Sequence, residues 1–72
     1  MRKIFISGAS GNVGRLLVRH VLERDGFELA GGYCRECGED LGVLSGGTQA
    51  GVLACADLRE GLLESKADLV ID

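Results

Sequence analysis

Three glycines at a fixed spacing follow a short apolar segment near the start of the chain. Residues 4–14 read Ile-Phe-Ile-Ser-Gly-Ala-Ser-Gly-Asn-Val-Gly, so glycines stand at positions 8, 11 and 14. A first glycine lets the chain turn sharply off a strand, and a second lets the backbone approach a bound group without a Cβ in the way. A third lets the following helix pack closely on the strand. The pattern predicts a strand, a tight turn and a helix in direct succession.

The same turn predicts a binding site for a pyrophosphate group. The first N–H groups of a helix have no partner inside the helix, and the helix dipole adds partial positive charge at that end. A glycine-rich turn between a strand and an amphipathic helix is the context in which such a pattern binds a dinucleotide. We therefore expect Gly8, Gly11 and Gly14 to shape a dinucleotide site.

Composition limits the classes of protein to which the chain can belong. It has 72 residues, of which 46% are apolar and 26% are charged, and its net charge is −3. The basic residues are scattered, so no nucleic-acid partner is expected. No apolar run approaches the roughly 20 residues that span a bilayer, and Ile4–Ile6 is too short for a signal peptide. We expect a cytoplasmic protein with no membrane partner.

Hydrophobic periodicity and turn signals predict four strands and two helices. The first helix should bury Val13, Leu16, Leu17, Val21 and Leu22, and the second should bury Leu58, Leu62 and Leu63. Asp57 followed by Glu60 resembles a capping box that opens the second helix. Residues 35–51 have no sustained period and read as a long glycine-punctuated loop with one turn around 40–44. The predicted elements are strand 3–7, helix 13–24, strand 27–33, strand 52–55, a helix after Asp57, and strand 69–71.

This order of elements predicts an α/β fold. The sequence β-α-β-loop-β-α-β, joined by right-handed crossovers, gives a partial Rossmann-like, doubly wound parallel sheet with strand order 3-2-1-4. A ligand is expected at the carboxyl ends of the central strands. The last strand should be central, yet the chain stops at Asp72. We therefore expect residues 1–72 to be the truncated N-terminal part of a dinucleotide-binding domain, without a substrate domain.

The three cysteines do not suggest a disulfide or a metal site. An odd number cannot all pair within the chain, and Cys34 and Cys37 form a C-x-x-C just past a predicted strand instead of at a helix N-terminus. Only Cys55 and His20 remain as further zinc ligands, from distant segments. We expect reduced thiols with no redox or metal-binding role.

Four segments together resemble the dihydrodipicolinate reductases of lysine biosynthesis. The glycine turn is shared with many families, and its combination with the other segments favours this family. The resemblance extends over the whole chain but only over the first part of the family's nucleotide-binding domain. The four segments are the glycine turn at 8–14, Leu29-Ala30-Gly31-Gly32-Tyr33, Asp40-Leu41-Gly42 ahead of Gly51-Val52, and Ala67-Asp68-Leu69-Val70-Ile71-Asp72.

The resemblance implies a reductase that transfers hydride from NADH or NADPH to a cyclic dihydrodipicolinate-type substrate. It assigns the cofactor's pyrophosphate to the turn formed by Gly8, Ala9, Ser10, Gly11, Asn12 and Val13. The position that closes the second strand normally carries an acid for the adenosine ribose, and here it is Cys34. Arg35 matches the family's basic residue and can pair with a 2′-phosphate. We therefore expect a preference for NADPH.

The chain also departs from the family pattern. Asn12 and Val13 replace the usual Arg-Met, and the family's catalytic residues lie beyond residue 72, so no catalytic residue is assigned. A second resemblance is to NmrA-like atypical short-chain dehydrogenases, which open with a segment similar to Gly11-Asn12-Val13-Gly14-Arg15 and are often NADP-binding regulators. A third alternative is a non-catalytic nucleotide-binding remnant that self-associates through exposed surfaces.

Overall fold

The computed structural model describes residues 2–35 and 37–71. These residues form four strands and three helices, in an order that agrees with the sequence prediction apart from one added short helix. The elements are β1 (Arg2–Ser7), α1 (Asn12–Glu23), β2 (Phe27–Tyr33), α2 (Leu41–Leu44), β3 (Ala54–Cys55), α3 (Leu58–Ser65) and β4 (Leu69–Ile71).

The four strands form one parallel sheet. Their spatial order is β3-β2-β1-β4, which confirms the predicted partial Rossmann-like topology. β1 pairs with β2 along its whole length, with one irregularity in register between Ile4 and Phe5. β4 pairs with the other side of β1, from Ile4↔Leu69 to Ile6↔Ile71. The carboxyl ends of β1, β2 and β4 therefore meet at one edge of the sheet.

The two longer helices cover opposite faces of the sheet. Ile4 and Ile6 of β1 are buried together with Val18 and Val21 of α1. Phe5 points to the other face, because side chains alternate along a strand, and there its ring approaches Gly61 of α3. The main core lies between α1 and the sheet, and a thinner layer lies under α3.

The predicted apolar face of α1 was right in part, because Val21 is buried and Leu17 packs against the core. Val13 is 70% exposed and Leu16 is 61% exposed, whereas Gly14, Val18 and Val21 are buried. Gly14 packs against the backbone of Gly8 and Ala9 in the turn after β1, and the buried stripe of α1 continues from it through Val18 and Val21. The prediction included Val21 but missed Val18 and Gly14, because a count of apolar residues gives no weight to the glycine that begins the stripe.

The predicted apolar face of α3 was also wrong in part. Leu63 is 69% exposed and Leu58 is 39% exposed, and α3 has no fully buried residue. The helix contacts the sheet through the small residues Gly61 and Ser65, which lie against Phe5 and Gly31. A small-residue contact lets the helix lie close but leaves leucines on its flanks in solvent.

Residues 40–51 form a compact loop, although no period was visible in the sequence. It starts with the short helix α2, and the antiparallel bridge between Asp40 and Leu53 closes it. The N–H of Leu41 donates to the carbonyl of Val52 at 2.8 Å, and that of Gly47 donates to the carbonyl of Gly42 at 3.0 Å. The third strand is correspondingly shorter than predicted.

Among the described residues, no helix is long and apolar enough to cross a membrane. The longest, α1, has 12 residues.

Candidate functional site

The glycine turn joins the carboxyl ends of β1 and β2. Gly8 adopts a φ of +73°, which favours glycine and lets the chain leave β1 abruptly. The N–H groups of Gly8 and Ala9 both donate to the carbonyl oxygen of Tyr33, at 2.8 and 3.0 Å, and the N–H of Gly11 donates to the carbonyl of Gly8 at 3.1 Å. These bonds fix the turn against the end of β2.

Gly14 allows α1 to begin directly on top of the turn. A Cβ at this position would overlap the carbonyl oxygen of Gly8 and lie 2.9 Å from the Cα of Ala9. No side chain larger than hydrogen fits there without displacing backbone. The third glycine therefore has the close-packing role that its position in the sequence predicted.

The N-terminus of α1 differs from those of the other two helices. Asp40 caps α2 and Asp57 caps α3, in each case through a carboxylate that accepts N–H bonds from the first turn. α1 has Gly11 as its N-cap, with no side-chain cap and no acidic residue in its first turn. The positive end of its dipole thus has no carboxylate from its own cap or first turn.

An open depression of about 520 Å³ lies at this helix end. It extends from Ser7 at the end of β1 to Leu17 in the second turn of α1. Gly11, Asn12 and Val13 are exposed along it. The depression combines backbone N–H groups, an exposed amide side chain and an apolar wall. Such a surface can bind a ligand in which an anionic group is attached to a less polar one.

Two of the candidate turn residues have other structural partners. The Ala9 side chain is buried in the core, and its N–H already donates to Tyr33. Ser10 is half-buried. Within the turn, the exposed glycines and the first residues of α1 are therefore the groups best placed to contact a ligand.

Cys34 and Arg35 follow β2 directly. They lie beside the glycine turn, because the carbonyl of Tyr33, the last residue of β2, accepts the hydrogen bonds of that turn. The Cys34 side chain is buried within the α1-side core, whereas Arg35 is exposed. Arg35 therefore presents the only strongly polar side chain of this pair. The structure brings the predicted turn and the predicted specificity position to the same edge of the sheet.

Asp40 is an organising residue that the sequence prediction missed. Asp40 is 8% exposed, and its carboxylate accepts four backbone N–H bonds: Oδ1 from Gly42, Val43 and Ala50 at 2.8, 3.2 and 2.8 Å, and Oδ2 from Gly51 at 2.8 Å. The N–H of Ala50, and then those of Gly51, Val43 and Gly42, hold the pKa of Asp40 below its ordinary value of 3.8 against the opposing effect of burial. One charged side chain thus closes the loop.

A known protein family shares the segment that forms this arrangement. The family model for the N-terminus of dihydrodipicolinate reductase matches residues 2–72. The chain belongs to the dihydrodipicolinate reductase family. This confirms the first of the two resemblances seen in the sequence, and the segment matched is the one that carries the glycine turn and the Asp40 loop.

Individual relatives agree with the family match. The chain is 42% identical over 73 residues to a 4-hydroxy-tetrahydrodipicolinate reductase of Cupriavidus pinatubonensis, covering 96% of this chain and 26% of the relative. A protein of the same name from Parvibaculum lavamentivorans is 43% identical over 75 residues, covering 97% and 27%. One from Desulfitobacterium hafniense is 33% identical over 72 residues, covering 97% and 27%. The chain spans about a quarter of the length of these relatives.

Proposed function

We propose that residues 1–72 are the N-terminal part of the dinucleotide-binding domain of a 4-hydroxy-tetrahydrodipicolinate reductase. In this proposal the glycine turn binds the pyrophosphate of NADPH or NADH, and the parts of the relatives outside the matched segment bind the cyclic substrate. The observation that carries the proposal is the N-terminus of α1. It is the one helix end among the described residues that begins at a glycine instead of an aspartate cap.

The residues of the turn fit a pyrophosphate by geometry and by charge. The depression at the turn opens on the exposed backbone of Gly8 and Gly11. Asn12 and Val13 extend the site along the first turn of α1 without a negative charge. The nicotinamide, when bound, supplies a hydride, and the turn's role is to hold and orient its carrier. No residue of this chain is assigned acid–base chemistry, so we expect the chain alone to bind the cofactor without turnover.

A preference for NADPH is part of the proposal and depends on the end of β2. Cys34 stands where a ribose-binding acid is expected, and its side chain is buried. Arg35 is exposed next to it, and a guanidinium can form paired hydrogen bonds with a 2′-phosphate. A neutral ribose hydroxyl offers no comparable charge-assisted contact.

The Arg35→Gln variant tests this preference. We expect its Kd for NADPH to rise by about tenfold, the loss of one charge-assisted contact, while its Kd for NADH changes little. Isothermal titration with both nucleotides gives the ratio. Arg2→Gln is the matched control, since Arg2 is exposed at the opposite end of β1. Equal loss for both nucleotides, or tighter NADH than NADPH binding by the original chain, would contradict the preference.

The Gly11→Ala variant tests pyrophosphate binding itself. Gly11 has an ordinary φ of −71°, and an added Cβ would meet only the carbonyl oxygen of Gly8 at 3.4 Å. The variant should therefore fold with an unchanged Tm. If a pyrophosphate packs against this backbone, the methyl group should raise the Kd for NADPH and for NADH alike, by about tenfold or more.

Gly26→Ala is a matched control for the same experiment. Gly26 lies in the turn between α1 and β2, at the other end of the sheet, with no heavy atom within 4 Å of an added Cβ. Its φ of +89° predicts a loss of stability without a loss of affinity. Unchanged nucleotide affinity in a folded Gly11→Ala variant would argue against the proposed site.

A further inference from the structure

Two cysteines that are 18 positions apart in the sequence lie in facing segments. Cys37 precedes the loop and is exposed, whereas Cys55 ends β3 and is half-buried. Both are free thiols, and both line one open depression of about 290 Å³ beside α3. The sequence offered no reason to expect a redox role for any cysteine, and its C-x-x-C spacing joins Cys37 with Cys34 instead of Cys55.

The backbone between these segments follows the pattern of a β-bulge. The N–H of Gly38 donates to the carbonyl of Ala54 at 3.0 Å, and the N–H of Ala54 donates to the carbonyl of Glu39 at 2.8 Å. Gly38 has a φ of +87°, as the first residue of a glycine bulge requires. Cys37 lies in the turn that leads into this bulge, and Cys55 directly follows Ala54. The hydrogen bond between Gly38 and Ala54 therefore holds the two cysteines on adjoining backbone segments. A disulfide requires their Cα atoms to come within about 4.4–6.8 Å.

The faces of the sheet separate Cys55 from Cys34. Cys34 belongs to the core on the α1 side, together with Ala54. Cys55 follows Ala54 directly, so its side chain points to the opposite face. There its Sγ lies against α3, at the place that a Cβ added to Gly61 would occupy. The depression shared by Cys37 and Cys55 includes Gly61 and Glu64 of the same helix. Cys37 is thus the cysteine that lines this depression together with Cys55.

We propose that Cys37 and Cys55 are a site of reversible oxidation by a peroxide. The exposed Cys37 sulfur attacks one oxygen of hydrogen peroxide, breaking the O–O bond to give a sulfenic acid and one water. The Cys55 sulfur then attacks the Cys37 sulfur, forming the S–S bond and releasing the second water. Overall two thiols lose two electrons and two protons, and one peroxide becomes two waters.

The surroundings of the pair fit this order of events. Asp57, Glu60 and Glu64 line the depression, so a neutral peroxide enters it without repulsion, while these carboxylates disfavour the thiolate and slow the first step. Burial raises the pKa of the Cys55 thiol above its ordinary value of 9.0, which favours Cys37 as the first thiol to react. A small thiol reductant would reverse the bond.

Tryptic mapping tests the site without a label. Cleavage after Arg24, Arg35 and Arg59 places Cys34 in the peptide 25–35, and Cys37 with Cys55 in the peptide 36–59. After treatment of the full folded chain with stoichiometric hydrogen peroxide, we expect the peptide 36–59 to lose two hydrogens in mass as the main product. Dithiothreitol should restore the original mass. The Cys34→Ser variant should behave in the same way, and Cys55→Ser should instead gain oxygen on Cys37.

The same reaction in guanidinium shows whether the fold selects the pair. In an unfolded chain the disulfide between Cys34 and Cys37 is favoured, because it closes the shorter loop. The peptides 25–35 and 36–59 should then become linked to each other. A main product linked through Cys34 in the folded chain would overturn the proposal. So would oxygen addition without loss of two hydrogens, or the same mixture of products in folded and unfolded chains.

Discussion

At the scale of single residues, Asp40 shows how one charged group can organise a loop that is rich in glycine. Its carboxylate accepts four N–H bonds, two from the start of α2 and two from Ala50 and Gly51 at the far end of the loop. Gly42 completes the closure, because a Cβ there would overlap the carbonyl of Thr48. A buried charge is tolerated when it is hydrogen-bonded in this way.

This arrangement predicts an acid-sensitive loop. The folded-state pKa of Asp40 lies below its ordinary value of 3.8, so its contribution to stability is complete above pH 3.8. That contribution is lost as the pH falls below 3.8 and through the lower folded-state pKa. Asp40→Asn should lower Tm at neutral pH by on the order of 10 °C, since the new NH₂ group faces N–H donors. It should also flatten the dependence of unfolding free energy on pH below 3.8.

Circular dichroism melts at neutral and acidic pH check this expectation. Asp57→Asn is the matched control, because Asp57 accepts one exposed N–H bond at 3.0 Å and asparagine also caps helices well. An Asp40→Asn protein as stable as the Asp57→Asn control would contradict the account of the loop.

The two aspartates also show what sequence can and cannot reveal at this scale. The role of Asp57 was predictable because its partner, Glu60, lies three residues away, within a known capping pattern. Two of the partners of Asp40 lie 10 and 11 residues away, across a segment without periodicity. Such a contact depends on how the loop closes, and no local pattern encodes it.

At the scale of elements, glycines let α1 pack closely on the turn after β1 and let α3 pack closely on the sheet. Gly14 begins the contact stripe of α1, and Gly61 lies over Cys55 and Phe5 in α3. The strands and caps followed from alternation and turn signals, and most of their bounds were predicted within one or two residues. The buried faces of both helices were predicted only in part, since apolar periodicity gives no weight to glycine.

The Gly61→Ala variant tests the role of close helix packing. Alanine gains about 1 kcal/mol in helix propensity, but its Cβ would overlap the Cys55 Sγ. We expect a net loss of about 1–3 kcal/mol in unfolding free energy. In a Cys55→Ala background the same change should cost clearly less, because the overlapping Sγ is gone and only the Cβ of residue 55 and Phe5 Cε2 remain close, each at 3.3 Å. Urea unfolding of the original chain, the two single variants and the double variant gives the coupling free energy between residues 55 and 61. Additive effects of the two substitutions would contradict this packing.

At the scale of the whole molecule, the fold places the turn and Arg35 at one edge of a parallel sheet. The strand order was predictable because a right-handed crossover and a chain of this length allow few alternatives. The family was also recognisable from the sequence. The face that each cysteine occupies was not, since it depends on the bulge at Gly38 and on the short length of β3.

The central claim is that the uncapped start of α1 binds the pyrophosphate of a dinucleotide. An amide chemical-shift titration of the folded, ¹⁵N-labelled chain with NADPH tests it most directly. We expect the largest shifts at Gly8, Gly11, Asn12, Val13 and Gly14, with smaller ones at Arg35. Saturable shifts confined to other parts of the chain, or no shifts in the turn at millimolar NADPH, would contradict the account.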